Sequence, residues 1–143
     1  MSVGLRQKEK VEAQKMKKKI VVDASALLAA IHNEKGGDFV KNRIDHCVIS
    51  TVNWSEVLQK LERADANVSK IEKGLKALGL SIVDFTEDDA KNCASLWLPS
   101  KKLGLSLADR ACLATGLRLK GDVITADRVW NDLDIILEIH LIR

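Results

Sequence analysis

Proline, glycine, cysteine and aromatic residues are scarce in this sequence. Among 143 residues there are one proline, eight glycines and no tyrosine, a composition that excludes collagen-like and linker-like chains. The longest uninterrupted apolar run is Ala26–Ile31, far shorter than the roughly 20 residues that a membrane-spanning helix needs. The N-terminus also lacks the apolar core of a secretion signal. The sequence therefore predicts a cytoplasmic protein with no membrane anchor.

Ligands for soft metals are also sparse. The three cysteines are an odd number, lack metal-binding spacing and have apolar neighbours, so we expect them to be reduced thiols in the core. The three histidines lie far apart and form no zinc motif. These residues are Cys47, Cys93 and Cys112, and His32, His46 and His140. The sequence therefore does not indicate a zinc-dependent activity.

Charge is distributed unevenly along the chain. Residues 1–19 contain seven Lys or Arg and two Glu, a net charge of +5, whereas residues 20–143 contain 16 basic and 18 acidic residues, a net charge of −2. We expect residues 1–18 to be a basic, disordered tail and residues 19–143 to be the folded domain. The tail is either a start-site extension without function or an arm that attracts phosphates. The domain itself lacks the broad basic face of many nucleic-acid-binding proteins.

After residue 19, short apolar runs alternate with longer helical segments. This alternation predicts an α/β fold with a largely parallel central sheet. Pro99 is expected to end one helix and Gly121 another. The predicted strands are 20–23, 47–49, 80–85, 123–124 and 135–139, and the predicted helices are 24–32, 39–44, 53–63, 68–78, 87–98, 106–120 and 126–133.

Four carboxylates fall at or just after the carboxyl ends of predicted strands, where parallel α/β sheets bind ligands. They are Asp23, Glu56, Asp109 and Asp127. Each alone is explained by capping, because such residues at helix starts satisfy free backbone N–H groups. Capping does not explain why acidic residues recur at one sheet edge, where they repel one another unless a cation neutralises them. Oxygen ligands of this kind favour Mg²⁺ or Mn²⁺.

Four segments resemble, in order, the motifs of PIN-domain nucleases. They are VVDASALL at 21–28, STVNWSEV at 50–57, GLSLADRACLA at 104–114 and VITADRVW at 123–130. The resemblance covers nearly all of residues 19–143 and is greatest to VapC-type toxins of toxin–antitoxin modules. It implies a three-layer α/β/α sandwich with a largely parallel central sheet.

The resemblance also implies a metal-dependent endoribonuclease. A bound Mg²⁺ or Mn²⁺ would activate water to hydrolyse an RNA phosphodiester bond. A small antitoxin partner and a homodimer are further implied, with residues 53–78 as the contact surface. The implied catalytic metal ligands are Asp23, Glu56, Asp109 and Asp127, and the implied supporting hydroxyls are Ser25 and Thr125.

Basic and aromatic residues near the motifs are candidates for contact with RNA. Lys101, Lys102, Arg110 and Arg128 are each either an RNA contact or a solvated surface charge. Trp54, Trp97 and Trp130 either stack on bases or anchor the core.

Other functions stay open at this point. A housekeeping RNA-processing PIN nuclease and a non-catalytic PIN-like binding module are the two alternatives to a toxin. Phosphatases with an aspartyl nucleophile are disfavoured, because Asp23-Ala24-Ser25 lacks their second carboxylate. No phosphate-binding loop follows Gly36-Gly37.

Overall fold

The computed structural model describes residues 18–143. Residues 1–17 of the predicted tail lie outside this range, so the prediction that they are disordered stays a prediction. Lys18, which we had assigned to the tail, places its Nζ 2.7 Å from Asp122 Oδ1. This ion pair ties Lys18 to the folded domain.

Five strands of residues 18–143 form one parallel sheet in the order β3-β2-β1-β4-β5. Val21 in the central strand pairs with Val48 on one side and with Val123 on the other. The chain therefore leaves β1 toward β2 and later returns to the opposite side of β1. Open α/β sheets generally bind ligands in the crevice at such a reversal, which lies here at the carboxyl ends of β1 and β4. The strands are β1 Ile20–Val22, β2 Cys47–Ser50, β3 Ser81–Val83, β4 Asp122–Thr125 and β5 Ile139–Leu141.

Helices cover both faces of the sheet. Successive side chains in each strand point to opposite faces, so each strand contributes to two cores. One core contains Val22 with Leu27 and Val57, and the other contains Val21 with Leu113 and Trp130. The predicted three-layer α/β/α sandwich is therefore confirmed. The helices are α1 Ala24–Ile31, α2 Gly37–Lys41, α3 Thr51–Arg63, α4 Val68–Ala77, α5 Glu87–Ser95, α6 Trp97–Ser100 and α7 Leu107–Leu119, with 3₁₀ turns at Ile44–His46, Lys101–Leu103 and Arg128–Asp132.

The predicted cysteine environment is confirmed, since all three thiols are buried and unpaired. Of the three tryptophans, two are buried in the core and one is exposed, as base stacking would require. Trp54 and Trp130 are 7% and 0% exposed and anchor the core, whereas Trp97 is 54% exposed. Of the described helices, none is long and apolar enough to cross a membrane.

Several predicted boundaries are wrong for identifiable reasons. The second long helix begins at Thr51 instead of Asn53, because the Ser50 hydroxyl already accepts from the backbone N–H of Val52. Pro99 does not end α5, which stops at Ser95. It lies instead in the first turn of α6, where no N–H donor is required.

The last third of the chain also departs from prediction. The segment predicted as a helix at 126–133 is only a 3₁₀ turn, and the final strand lies at Ile139–Leu141 instead of 135–139. The helix predicted to end at Gly121 ends at Leu119, and Lys120, with φ of 53°, follows it in the left-handed conformation. Gly121 has a different role, since a Cβ there would lie 2.6 Å from the carbonyl oxygen of Lys19.

Candidate functional site

Asp23 lies between β1 and α1, at the crevice between the ends of β1 and β4. Its Oδ1 accepts hydrogen bonds from the backbone N–H of Ala26 at 2.8 Å and from Ser25 Oγ at 2.7 Å. Its Oδ2 accepts from Thr125 Oγ1 at 2.6 Å. Asp23 therefore caps α1, as the capping explanation predicts, and also joins the ends of two neighbouring strands.

The hydroxyls of Ser25 and Thr125 extend this network to the segment after β4. Ser25 Oγ accepts from the backbone N–H of Ala126 at 3.0 Å, and Thr125 Oγ1 accepts from that of Asp127 at 3.0 Å. Asp127 is exposed, and its Oδ1 caps the following 3₁₀ turn by accepting from Val129 N–H at 3.0 Å. Asp127 is thus connected to Asp23 through Thr125.

Burial makes Asp23 electrostatically unusual. The residue is 5% exposed, and loss of hydration raises the pKa of its carboxyl from 3.8 to about 6. The hydrogen bonds from Thr125, Ala26 and Ser25 oppose this rise, whereas the negative charge of Asp109 adds to it. An ionised Asp23 is therefore costly until a positive charge approaches it.

Glu56 lies in α3, and a hydrogen bond from Asn53 restrains its carboxylate. Asn53 Nδ2 donates to Glu56 Oε1 at 3.0 Å and to the backbone carbonyl of Ala108 at 3.0 Å. The spacing of Asn53 and Glu56 resembles a capping box, but Ser50 caps α3, so Asn53 has another role. The sequence signal for the true role is an asparagine within the first turn of a helix, three residues before a glutamate.

Asp109 belongs to a true capping box at the start of α7. Its Oδ2 accepts from Ser106 N–H at 2.9 Å, and Ser106 Oγ accepts from Asp109 N–H at 3.1 Å. Because Ala108 immediately precedes it, the Asn53 bond to the Ala108 carbonyl also links Asp109 to α3. A carboxylate that caps a helix keeps a second oxygen for other partners.

Three of the four predicted carboxylates lie close enough to one buried thiol to change its pKa. Burial raises the pKa of the Cys112 thiol in α7 well above its usual value, and the negative charges of Asp23, Asp109 and Glu56 raise it further. The structure therefore brings these three carboxylates into one neighbourhood. Within residues 18–143, however, no three His, Cys, Asp or Glu side chains already converge closely enough to hold a metal ion.

The donor set nevertheless fits a hard divalent cation in its chemistry. The available atoms are carboxylate oxygens, which Mg²⁺ and Mn²⁺ prefer. Asp23 has a pKa that a nearby cation would lower. The buried Asn53 Oδ1 accepts no hydrogen bond from any residue in 18–143, which leaves an oxygen free for a coordinated water.

The four predicted RNA contacts occupy different environments. Lys101 and Lys102 are exposed, and Lys101 Nζ lies 5.4 Å from the centre of the Trp97 ring. Arg110 Nη1 donates to the Cys93 carbonyl at 2.9 Å, which braces α7 against α5. Arg128 is exposed, and its Nε lies 3.4 Å from the carbonyl oxygen of Arg143.

Solved structures share this fold at low sequence identity. A toxin–antitoxin complex from Klebsiella pneumoniae aligns with a TM-score of 0.71 at 16% identity, over 87% of this chain and 98% of that one. DNA-bound VapBC from Salmonella typhimurium aligns with a TM-score of 0.67 at 12% identity, over 88% and 99%. FitAcB from Neisseria gonorrhoeae aligns with a TM-score of 0.66 at 15% identity, over 86% and 97%.

Sequence comparison extends this likeness from fold to family. No curated protein sequence matches the chain significantly. The family model of the PIN domain, in contrast, matches residues 20–136, a span that includes all four carboxylates and both hydroxyls discussed above. The chain therefore belongs to the PIN domain family.

Proposed function

We propose that this protein is a divalent-metal-dependent endoribonuclease that acts as the toxin of a toxin–antitoxin pair. PIN domains are generally nucleases. The observation that carries the proposal is Asp23, a buried carboxylate with a pKa raised to about 6 at the crevice between β1 and β4. Asp109 and Glu56 lie around the same segment of α7. A bound cation would offset the repulsion between these neighbouring carboxylates.

The site residues divide into ligands and supports. Asp23, Glu56, Asp109 and Asp127 would hold Mg²⁺ or Mn²⁺, which when bound lowers the pKa of a water molecule and neutralises charge on the phosphate. Ser25 and Thr125 donate to opposite oxygens of Asp23. These two bonds fix the orientation of the carboxylate before any ligand arrives, so little reorganisation is needed.

The exposed face beside the site is suited to a single RNA strand. Trp97 presents an exposed ring with the Lys101 ammonium group 5.4 Å from its centre, and the neighbouring Lys102 is also exposed. The 3₁₀ turn Lys101–Leu103 packs against the turn Arg128–Asp132, which Asp127 caps. Aromatic rings stack on bases without regard to sequence, and lysines contact phosphates. We assign substrate contact to Trp97, Lys101, Lys102 and Arg128, and we retain Arg110 as a predicted contact that also braces α5.

An antitoxin partner is proposed from the relatives, whose structures include toxin–antitoxin complexes. An apolar groove between α1 and α4 offers a place for an amphipathic segment of that partner. We also retain the prediction of a homodimer through residues 53–78. A neighbouring gene for a small protein that co-purifies with this chain would support the toxin, and its absence would favour a housekeeping nuclease. The groove is lined by Ala30, Ile31, Ile44, Ile71, Leu75 and Leu78.

A non-catalytic RNA-binding module is the second candidate function. The observation in its favour is that no three potential metal ligands within residues 18–143 already converge. Incubation of the purified protein with defined single-stranded RNAs in Mg²⁺, in Mn²⁺ and in EDTA separates the two functions. We expect cleavage with either metal, none in EDTA and none by the Asp109→Asn variant. Retention of uncleaved RNA under every condition would establish the binding module instead.

A further inference from the structure

Asn53 is an amide buried in the first turn of α3 without capping that helix. It is the third residue of α3 and is 1% exposed. Asparagine is a poor helix former, because its side chain competes for nearby backbone groups. It also does not cap α3, since Ser50 does so. The cost of burying an amide at this position indicates that its contacts serve another purpose.

The two contacts of Asn53 require an amide nitrogen. The partners are Glu56 Oε1 and the carbonyl oxygen of Ala108, both at 3.0 Å. An ionised carboxylate and a backbone carbonyl are acceptors only, so both bonds need N–H donors on one side chain. Aspartate at this position would offer no donor and would repel Glu56. The NH₂ group of Asn53 satisfies both acceptors at once.

We propose that Asn53 is a positioning residue for the metal site, which holds the Glu56 carboxylate in place and sets its distance from Asp109. This inference rests on the proposed function. One bond restrains Glu56 on α3, and the other restrains the residue directly before Asp109 on α7. Asn53 thus connects two of the proposed ligands across helices whose sequence positions differ by 55 residues. Partners that hold a ligand in this way strengthen metal binding.

The remaining oxygen of the amide supports the same role. Asn53 Oδ1 is buried, and no donor within residues 18–143 reaches it. An unsatisfied buried acceptor destabilises a fold unless a ligand or water donates to it. Since residues 18–143 provide no such donor, the unpaired oxygen adds to the cost of burying this amide. That cost indicates that the two N–H contacts are the reason for an asparagine at this position.

A double-mutant cycle on Mn²⁺ affinity, measured by calorimetry without RNA, tests this proposal. The proteins are the wild type, Asn53→Ala, Glu56→Ala and the double variant. We expect Asn53→Ala to raise the Mn²⁺ dissociation constant roughly tenfold to a hundredfold. In the Glu56→Ala background the same substitution should change the constant by a much smaller factor, because the bond to Glu56 is already lost and only the bond to Ala108 is left. If Asn53→Ala does not fold, Asn53→Leu, which has a similar shape and no donor, replaces it.

The Asn67→Ala variant provides a matched control. Asn67 caps α4 by accepting from Lys70 N–H, so its loss destabilises the fold without touching the carboxylates. It lies beyond the far end of α3, a helix roughly 20 Å long. Its Mn²⁺ affinity should equal that of the wild type, and urea unfolding records the stability of each variant.

Each outcome decides between the inference and the proposed function. Wild-type affinity in Asn53→Ala together with weakened affinity in Glu56→Ala overturns the positioning role and leaves the metal site intact. An undiminished effect of Asn53→Ala in the Glu56→Ala background also overturns it, because Asn53 would then act on the fold in general. Wild-type affinity in Glu56→Ala overturns the proposed metal site itself.

Discussion

Replacing Asp23 with Asn removes a buried charge while it preserves the shape of the side chain. In the folded protein, burial raises the pKa of Asp23 from 3.8 to about 6, so the folded state binds the proton more tightly than the unfolded chain. This contribution to stability is complete below pH 3.8 and is lost as the pH rises through 6. The pKa difference corresponds to about 3 kcal/mol of unfolding free energy.

The Asp23→Asn variant carries no charge, so its unfolding free energy does not fall in this pH range. Its hydrogen bond with Thr125, however, is weaker. Its amide oxygen still accepts from Ser25 and Ala26, whereas an NH₂ group faces Thr125 in place of Oδ2. The Thr125 hydroxyl must then accept instead of donate, at a cost of about 1 kcal/mol. We therefore expect the variant to be about 2 kcal/mol more stable than the wild type at pH 8 and about equally stable at pH 4.5.

Urea unfolding in EDTA at the two pH values measures this difference. Asp134→Asn, at an exposed position, is the control and should shift stability equally at both. Added Mg²⁺ should stabilise the wild type at pH 8 but not Asp23→Asn, because the cation neutralises the ionised carboxylate. The variant should also lose RNA cleavage. If Asp23→Asn and the wild type differ in stability by the same amount at pH 4.5 and pH 8, burial does not raise the pKa of Asp23.

Four further substitutions probe packing, a buried ion pair and the RNA surface. Gly116→Ala would place a Cβ 2.5 Å from Val123 Cγ2 and should lower the unfolding free energy in urea by about 1–3 kcal/mol. Gly74→Ala, in contrast, has open space around its Cβ and should stabilise α4 by about 0.5–1 kcal/mol. Burial raises the pKa of Asp89, but hydrogen bonds from Arg118 and Thr86 outweigh this effect and hold the pKa below 3.8. Arg118→Met leaves this fully buried carboxylate without its ion-pair partner and should cost about 3 kcal/mol at pH 7. Without Arg118, burial raises the pKa of Asp89 relative to the wild type, so the loss should shrink as the pH falls through the carboxyl pKa of the variant and protonation removes the charge. Trp97→Ala should weaken RNA binding by about 1–3 kcal/mol, which raises KM and leaves kcat unchanged. An unchanged KM would show that Trp97 does not contact the RNA.

Local pattern was sufficient to predict the fold class. Buried strands and amphipathic helices differ in apolar periodicity, so their alternation indicated an α/β fold with a largely parallel sheet, and the resemblance to PIN domains implied the three layers. The positions of Asp23 and Asp109 were also predictable, because both directly follow recognisable element boundaries. The last strand was less predictable, since apolar residues continue from Ile135 to Ile142. Only pairing with β4 selects Ile139–Leu141.

The chemistry of the site was decided by contacts between distant parts of the chain. Thr125 donates to Asp23 across 102 positions, and Asn53 donates to Ala108 across 55. The sequence by itself determined most of the elements up to β4 and which carboxylates follow the strands, because these depend on neighbouring residues. The tertiary structure alone decided that Asp23 is desolvated, that Trp97 is exposed while Trp54 is buried, and that Asn53 holds Glu56 instead of capping a helix. Desolvation and hydrogen bonding depend on which segments meet in space, and no local pattern encodes that.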